Sequence, residues 1–397
     1  MKTIGIFLPN AYRGGSLSGA RNIAQMLKLG SKNAGEPVRI IFSCVANFYN
    51  LQKDFAELID LDIPVRETVW KKISKKEVEF ALTLLKRKVT LTHDHYVIPT
   101  DGINNFQECD LWLIISDRLC WPLAPIKPYG VVTYDYIQRY MPEIFPPGLD
   151  DFSYISTVRQ ADFVLTTTPA TRNDAIQYAG VSPKRLHLAP MEFNPFDYTN
   201  AKKQEKQPYF IWTTNCSMHK NHVNAIHALD IYYRKLNGKL QAIMTGPLTD
   251  LFLPDKDAGI EYVRKVSTLI DSTVFVKKNL SIKGNLSVPD YIDILSQAKF
   301  LWHPTLVDNG TFSVMEAAYH GTPALSHDYS QMRYINERFQ LNLNFCDARN
   351  ADETAMKLKE METMAHEEIR LPDRKFLDQF NYRNLANEYW NFFRNII

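Results

Sequence analysis

Two carboxylates eight positions apart, Asp308 and Glu316, flank what the residue pattern makes the start of a helix. They lie within residues 301–328, LWHPTLVDNGTFSVMEAAYHGTPALSHD. An apolar strand over 298–302 enters this stretch and a polar turn over 307–311 follows. A helix over 312–319 stops at Gly321, and Thr322-Pro323 turn the chain into a second strand over 324–326. Strand, glycine-containing loop, helix, glycine stop and strand make one βαβ crossover of a parallel sheet. Its loop lies at the carboxyl end of the sheet, where open α/β sheets bind ligands. The helix start, around Gly310, Thr311 and Phe312, offers unpaired N–H groups and the positive end of a dipole, which suits an anion. A plainer reading has Asp308 or Asn309 capping the helix and Glu316 as a solvated charge.

A second candidate for anion chemistry is Lys220, followed by Asn221. A strand over 209–213 leads through TNCSMHKNH to a helix over 221–233. A lysine at a helix start opposes the dipole unless an anion lies between them, and phosphate is the natural one. A third is Gly14-Gly15, in a loop over 9–17 between a first strand (3–8) and a first helix (18–29). Such a pair lets the backbone approach a phosphate, although any tight βα turn uses the same residues. Ser16 or Ser18 would cap that helix. Asp117 and Asp135, the latter preceded by Tyr134, end strands over 110–116 and 129–134 and so sit on the ligand-binding edge.

Metal chemistry finds less support. His93-Asp94-His95 has no third ligand, and His219 and His222 lie in a turn without further ligands. No Asp-x-Asp falls in a strand-end loop; Asp60-Leu61-Asp62 has no such context. We expect no metal and no cofactor.

The elements that must position these residues are numerous. The chain has 397 residues, which points to two domains. Apolar content is 45% and charged content 23%, ordinary for a globular protein. A net charge of +2 gives no global argument for nucleic acid. Five scattered cysteines without a CxxC pair fit a reduced, cytoplasmic protein rather than a disulfide framework. MKTIGIFLPN reads as a first strand, not a signal peptide. No apolar run approaches the ~18 residues of a membrane span.

Further strands are expected over 37–44, 162–166, 185–188, 240–245 and 273–276, with helices over 169–178, 256–270 and 289–297. Residues 71–88, KKISKKEVEFALTLLKRK, read as a basic amphipathic helix, either a solvated face or one that rests on an anionic membrane. Residues 136–147, aromatic and Pro-rich, would line an acceptor groove or form a packed loop. Residues 200–208, NAKKQEKQP, make the best linker. A last helix over 374–397 is rich in aromatics.

An acidic residue, seven residues, Glu, then Ala-Ala and Gly-Thr-Pro resembles the nucleotide-sugar signature of glycosyltransferase family 4, retaining enzymes of the GT-B fold. The overall pattern is most similar to bacterial polysaccharide mannosyltransferases. The resemblance implies two Rossmann-like α/β domains facing across a cleft. It places the acceptor-side domain at 1–200, the nucleotide-sugar domain at 208–373, and a terminal helix (374–397) that returns to the first domain. It implies that Asp308 touches the donor sugar, Glu316 holds the ribose and Lys220 grips the diphosphate. Gly14, Gly15, Asn221, Gly310, Thr311 and Phe312 would complete the donor site, with Gly284 to Ser287 cradling the base through backbone groups. Three departures stand out. The family more often has Glu where Asp308 stands. An arginine of the diphosphate grip falls near Asn215 here, leaving Arg13 or His219 to help. A His-Asp pair is replaced by Tyr134-Asp135, which we assign to acceptor binding.

The expected function is metal-independent transfer of a hexose, with mannose the leading candidate, from a GDP- or UDP-sugar to a glycan or lipid-linked acceptor. The enzyme would be cytoplasmic, with peripheral contact to an anionic membrane. The rivals are an inactive GT-B homologue serving as a scaffold subunit, favoured by Asn215 and Asp308, and a GT-B sugar-nucleotide epimerase.

Overall fold

The computed structural model describes residues 1–116, 118–119, 121–142, 149–195, 205–254, 256, 259–308, 312–364 and 369–397. The chain divides into two compact units, Met1–Asn194 with Gln379–Ile397, and Pro195–Asp378.

Among the described residues the first unit holds an eight-stranded sheet. Its strands are β1 (Thr3–Phe7), β2 (Arg39–Val45), β3 (Val65–Ser74), β4 (His95–Thr100), β5 (Leu111–Ile115), β6 (Tyr129–Val132), β7 (Phe163–Thr166) and β8 (Leu186–Leu188). They run in the order β4-β3-β2-β1-β5-β6-β7-β8. All neighbours are parallel except β3 and β4, which pair antiparallel. Central strands such as TIGIF and LWLII are buried at every position, as strands covered on both faces must be.

The helix Gly15–Asn33 packs against the helix Tyr382–Arg394, which buries Leu385, Tyr389, Trp390 and Phe393. Gly30 makes this approach possible: a Cβ there would meet the Ala386 carbonyl oxygen at 2.1 Å. Glu36 anchors the end of the contact, accepting from Trp390 Nε1 at 3.1 Å and from Arg394 Nη1 at 3.1 Å.

The second unit holds a six-stranded parallel sheet among the described residues. Its strands are β9 (Tyr209–Thr213), β10 (Gln241–Thr245), β11 (Leu280–Ile282), β12 (Leu301–His303), β13 (Ala324–His327) and β14 (Asn344–Cys346), in the order β11-β10-β9-β12-β13-β14. The order reverses between β9 and β12, which makes the ends of these two strands a topological switch point. A core of Phe210, Trp212, Phe300 and Trp302 lies under it.

Several expectations are corrected. Residues 71–74 are not helical but finish β3, with Lys72 opposite Val97. The helix is Lys75–Leu84, started by a capping box in which Ser74 Oγ accepts from the Glu77 N–H and Glu77 Oε2 accepts from the Ser74 N–H. The first helix begins at Gly15, and its N-cap is Gly14, not Ser16 or Ser18. Residues 273–276 are not a strand: Val274–Asn279 is helical, and the strand is Leu280–Ile282. Val274 and Phe275 face solvent there, so the β-branched run had no sheet face to pack on. The helix expected over 256–270 is Glu261–Ser272. The terminal helix is two, Arg374–Asp378 and Tyr382–Arg394. Asn381 restarts it by accepting from the N–H groups of Arg383 and Asn384. Among the described residues, no helix is long and apolar enough to cross a membrane.

Candidate active site

The second unit gathers the charged candidates at the carboxyl ends of β9 and β12. Lys220 closes a single 3-10 turn, Met218–Lys220, and the helix proper starts at His222. Asn221 stands between them in the left-handed region, φ 66°. Its side-chain amide donates to the carbonyls of Pro304 at 3.3 Å and Ala348 at 2.8 Å. The Leu306 N–H donates to the His219 carbonyl at 3.0 Å. These bonds lock the turn after β9 to the loop after β12.

They also bring Lys220 Nζ to 2.5 Å from Asp308 Oδ2, with both side chains mostly buried. An anion does lie against Lys220, and here it is a carboxylate of the same chain. Phe312 is the N-cap of the following helix, and its own side chain makes no cap hydrogen bond. Asn309, Gly310 and Thr311 lie outside the described residues.

Glu316 sits in the first turn of the helix Ser313–Tyr319. Its Oε2 accepts a hydrogen bond from the Tyr291 hydroxyl at 2.8 Å. Loss of solvent pushes its carboxyl up to about 7, opposed by that hydrogen bond. Two buried histidines flank Lys220 in the sequence and across the sheet. His222 donates to or accepts from Thr214 and Tyr262, and burial, aided by Lys220, drives it down to about 3. His303 is likewise pushed down to about 3 by burial and by Lys220. Both are neutral at pH 7, so neither competes with Lys220 for an anion.

The loop that the resemblance matches to the donor base is braced by the end of β10. The Gly284 carbonyl accepts from the Gly246 N–H at 2.9 Å and from Thr245 Oγ1 at 2.8 Å. Gly246 is obligatory there, because a Cβ would meet the Thr214 carbonyl oxygen at 1.8 Å. Asn215 Oδ1 accepts from the Ser217 N–H at 2.9 Å and shapes the turn.

In the first unit the strand-end residues form a different network. Gly14, with φ 65° and open space around its Cβ position, and Gly15 open the first helix. Arg13 is committed elsewhere, to Asp54 at 3.1 Å and over the rings of Phe48 and Tyr49. Arg118 Nη2 donates to Asp135 Oδ1 at 3.0 Å and to Gln138 Oε1 at 2.9 Å. Tyr12 OH lies 2.9 Å from Ser116 Oγ, and Ser116 holds φ 85°, a costly conformation for a residue with a side chain. The Tyr134 hydroxyl packs against Gly19, where an added Cβ would come within 2.7 Å of it. Asp117 and residues 143–147 of the proposed acceptor loop lie outside the described residues.

Within the second unit the structure therefore joins Lys220 to Asp308 and sets Glu316 on Tyr291. Within the first it joins Asp135 to Arg118 and keeps Tyr134 on another side chain set. Tyr291 and Tyr12 carried no sequence signal; Arg118 had one, its position beside a strand end. Among the described residues, no group of three or more His, Cys, Asp or Glu is placed to hold a metal ion.

Residues 196–374 match the family model described as glycosyl transferases group 1. No curated protein sequence matches the chain. Solved structures align over its whole length. A glycosyltransferase from Rickettsia africae is 14% identical over 100% of this chain and 98% of that one, with a TM-score of 0.63. Sucrose-phosphate synthase from Thermosynechococcus elongatus is 11% identical over 100% and 99%, with a TM-score of 0.68. Anabaena HepE in complex with UDP-glucose is 13% identical over 100% and 98%, with a TM-score of 0.63. The architecture is GT-B, and the matched segment is the unit that carries Lys220, Asp308 and Glu316. Residues 196–374 are similar to glycosyl transferases group 1, and the whole chain shares the fold of these solved structures.

Proposed function

We propose that the chain transfers a hexose from a nucleoside diphosphate sugar to a hydroxyl of a glycan or lipid-linked glycan, with retention at the anomeric carbon. The observation that carries this reading is the Lys220–Asp308 pair beside Glu316 at the β9/β12 switch point. In the reaction the bond from the anomeric carbon to the diphosphate oxygen breaks, and a bond to the acceptor oxygen forms as its proton passes to the departing diphosphate oxygen. The barrier lies largely in the charge that develops on the departing diphosphate. Lys220 takes that charge once the phosphate replaces the Asp308 carboxylate against it. Asp308, released, turns to the sugar hydroxyls, and Glu316 accepts from the ribose. The first unit serves the acceptor, with Asp135 and Tyr134 at its strand ends.

HepE, which shares the fold, was crystallised with UDP-glucose. The sequence resemblance leans instead to GDP-mannose, so both bases belong in the test. Peripheral membrane contact is part of the proposal. The helix Lys75–Leu84 turns Val78 and Leu82 inward but leaves Phe80 and Leu84 exposed beside Lys76. That is an apolar pair in a cationic setting, which suits an anionic bilayer surface.

The test is a thermal-shift screen of UDP- and GDP-hexoses, since a bound ligand stabilises the folded state, followed by product analysis with glycan acceptors and EDTA. One nucleotide sugar should stabilise the protein and be consumed only with an acceptor, EDTA or not. Consumption without acceptor would indicate an epimerase. Stabilisation by no donor would indicate the scaffold.

A further inference from the structure

Tyr291 has no assigned role, yet it makes the one side-chain hydrogen bond to Glu316 seen among the described residues. Its position is set by packed elements. Ser287 caps the helix Val288–Gln297, with Pro289 in its first turn. The Tyr291 N–H donates to the Ser287 carbonyl at 2.9 Å. Further along, Tyr209 OH donates to the Ile294 carbonyl at 2.9 Å and Thr322 Oγ1 to the Leu295 carbonyl at 2.7 Å. Thr322 follows the helix that carries Glu316, so both partners are fixed to one frame. Thr213 Oγ1, at the end of β9, lies 3.5 Å behind the phenol oxygen.

An ionised carboxylate offers about four acceptor sites. The Tyr291 hydroxyl fills one of them, on Oε2, and fixes the plane of the group. A vicinal diol needs two acceptors at a fixed spacing and orientation, and a carboxylate free to swing gives up entropy to supply them. We propose that Tyr291 is a positioning residue for the nucleotide site: by holding Glu316 Oε2, it orients the carboxylate to accept from the ribose hydroxyls of the donor. This rests on the reading of Glu316 given above.

The test titrates UDP and GDP, and their 2′,3′-dideoxy counterparts, into wild type, Tyr291→Phe, Glu316→Gln and the double variant, with melts alongside. Tyr291→Phe keeps the ring and removes one oxygen. It should weaken the ribonucleotide about tenfold, as loss of a hydrogen bond to a charged group does. The dideoxy nucleotide should bind the variant much as it binds wild type. With a donor sugar, KM should rise while kcat holds, the mark of lost uniform binding. In the Glu316→Gln background, Tyr291→Phe should add little. Equal weakening of ribo- and dideoxynucleotide, or full additivity with Glu316→Gln, would make Tyr291 a packing residue and overturn the proposal. If Glu316→Gln weakens the ribonucleotide and Tyr291→Phe does not, only the Tyr291 assignment falls. If Glu316→Gln binds every nucleotide like wild type, the ribose reading itself fails.

Discussion

The two units treat their strand-end charges differently. In the second, Lys220 pairs with the Asp308 carboxylate at 2.5 Å. In the first, Arg118 is shared between Asp135 and Gln138 and lies over the Tyr154 ring, and Arg13 is shared between Asp54 and two aromatic rings. Among the described residues Lys220 has one ion-pair partner, and on the proposed reading a phosphate takes that partner's place. A cation held from several sides builds a rigid surface. The difference teaches that a basic residue of a strand-end loop can be engaged by its own chain: Arg13 is held by Asp54 and two rings, Lys220 by Asp308.

The sharpest break of this contrast is Lys220→Ala. It should lose nucleotide affinity and turnover by roughly ten- to a hundredfold, the worth of a charged hydrogen bond of about 1.5–3 kcal/mol. Isothermal titration and initial rates check it, and unchanged values would reduce Lys220 to a structural ion pair. Arg13→Ala, by contrast, should leave nucleotide affinity within about twofold, since surface pairs are worth about 0–1 kcal/mol. A tenfold loss there would erase the distinction between the units.

Glu316 sharpens it through pH. Its folded-state pKa of about 7 lies above the ordinary 4.5. Between those values the native state keeps a proton that the unfolded chain has lost, so stability falls as pH rises from about 4.5 to about 7. Glu316→Gln lacks the penalty. At pH 8 it should be the more stable protein, by about 1–3 kcal/mol, with the gap closing by pH 4. Urea melts at both pH values measure this, and a pH-independent difference would contradict it.

The smallest effect is expected at the edge of the first unit. Wild type should sediment with anionic vesicles in a salt-sensitive way, because screening cuts electrostatic reach to about 8 Å at physiological ionic strength. Neutralising Lys71, Lys72, Lys75 and Lys76 should weaken this, although Lys72 also covers the Trp121 ring. Equal recovery of both proteins would leave the helix a solvated face.

The crossover that carries Asp308 and Glu316 was legible because its signals are close in sequence. Asp308, Glu316 and the Gly-Thr-Pro stop fall within one crossover, and β12, the helix Ser313–Tyr319 and β13 lie close to where the pattern puts them. What stayed hidden depends on distant contacts. The Tyr291–Glu316 bond spans 25 residues, Lys220–Asp308 spans 88 and Tyr12–Ser116 spans 104. No local period records such pairings. The misread elements failed for local reasons. The KKIS segment continues the alternation of a strand that already had a partner in β4, and the TVFV run is helical, with the strand starting seven residues later than its propensity suggests. The Gly14 cap was missed because serines cap more often than glycines.

The central claim is that Lys220, Asp308 and Glu316 act on different parts of one nucleotide sugar. It is tested most directly by titrating the free nucleoside diphosphate and the nucleotide sugar against Asp308→Asn and Glu316→Gln. Glu316→Gln should weaken both ligands alike, about tenfold. Asp308→Asn frees Lys220 of its carboxylate, so the diphosphate should bind as tightly as to wild type or tighter, while transfer of the sugar is lost. Should both variants bind both ligands like wild type and turn over normally, the donor site does not lie at the β9/β12 edge.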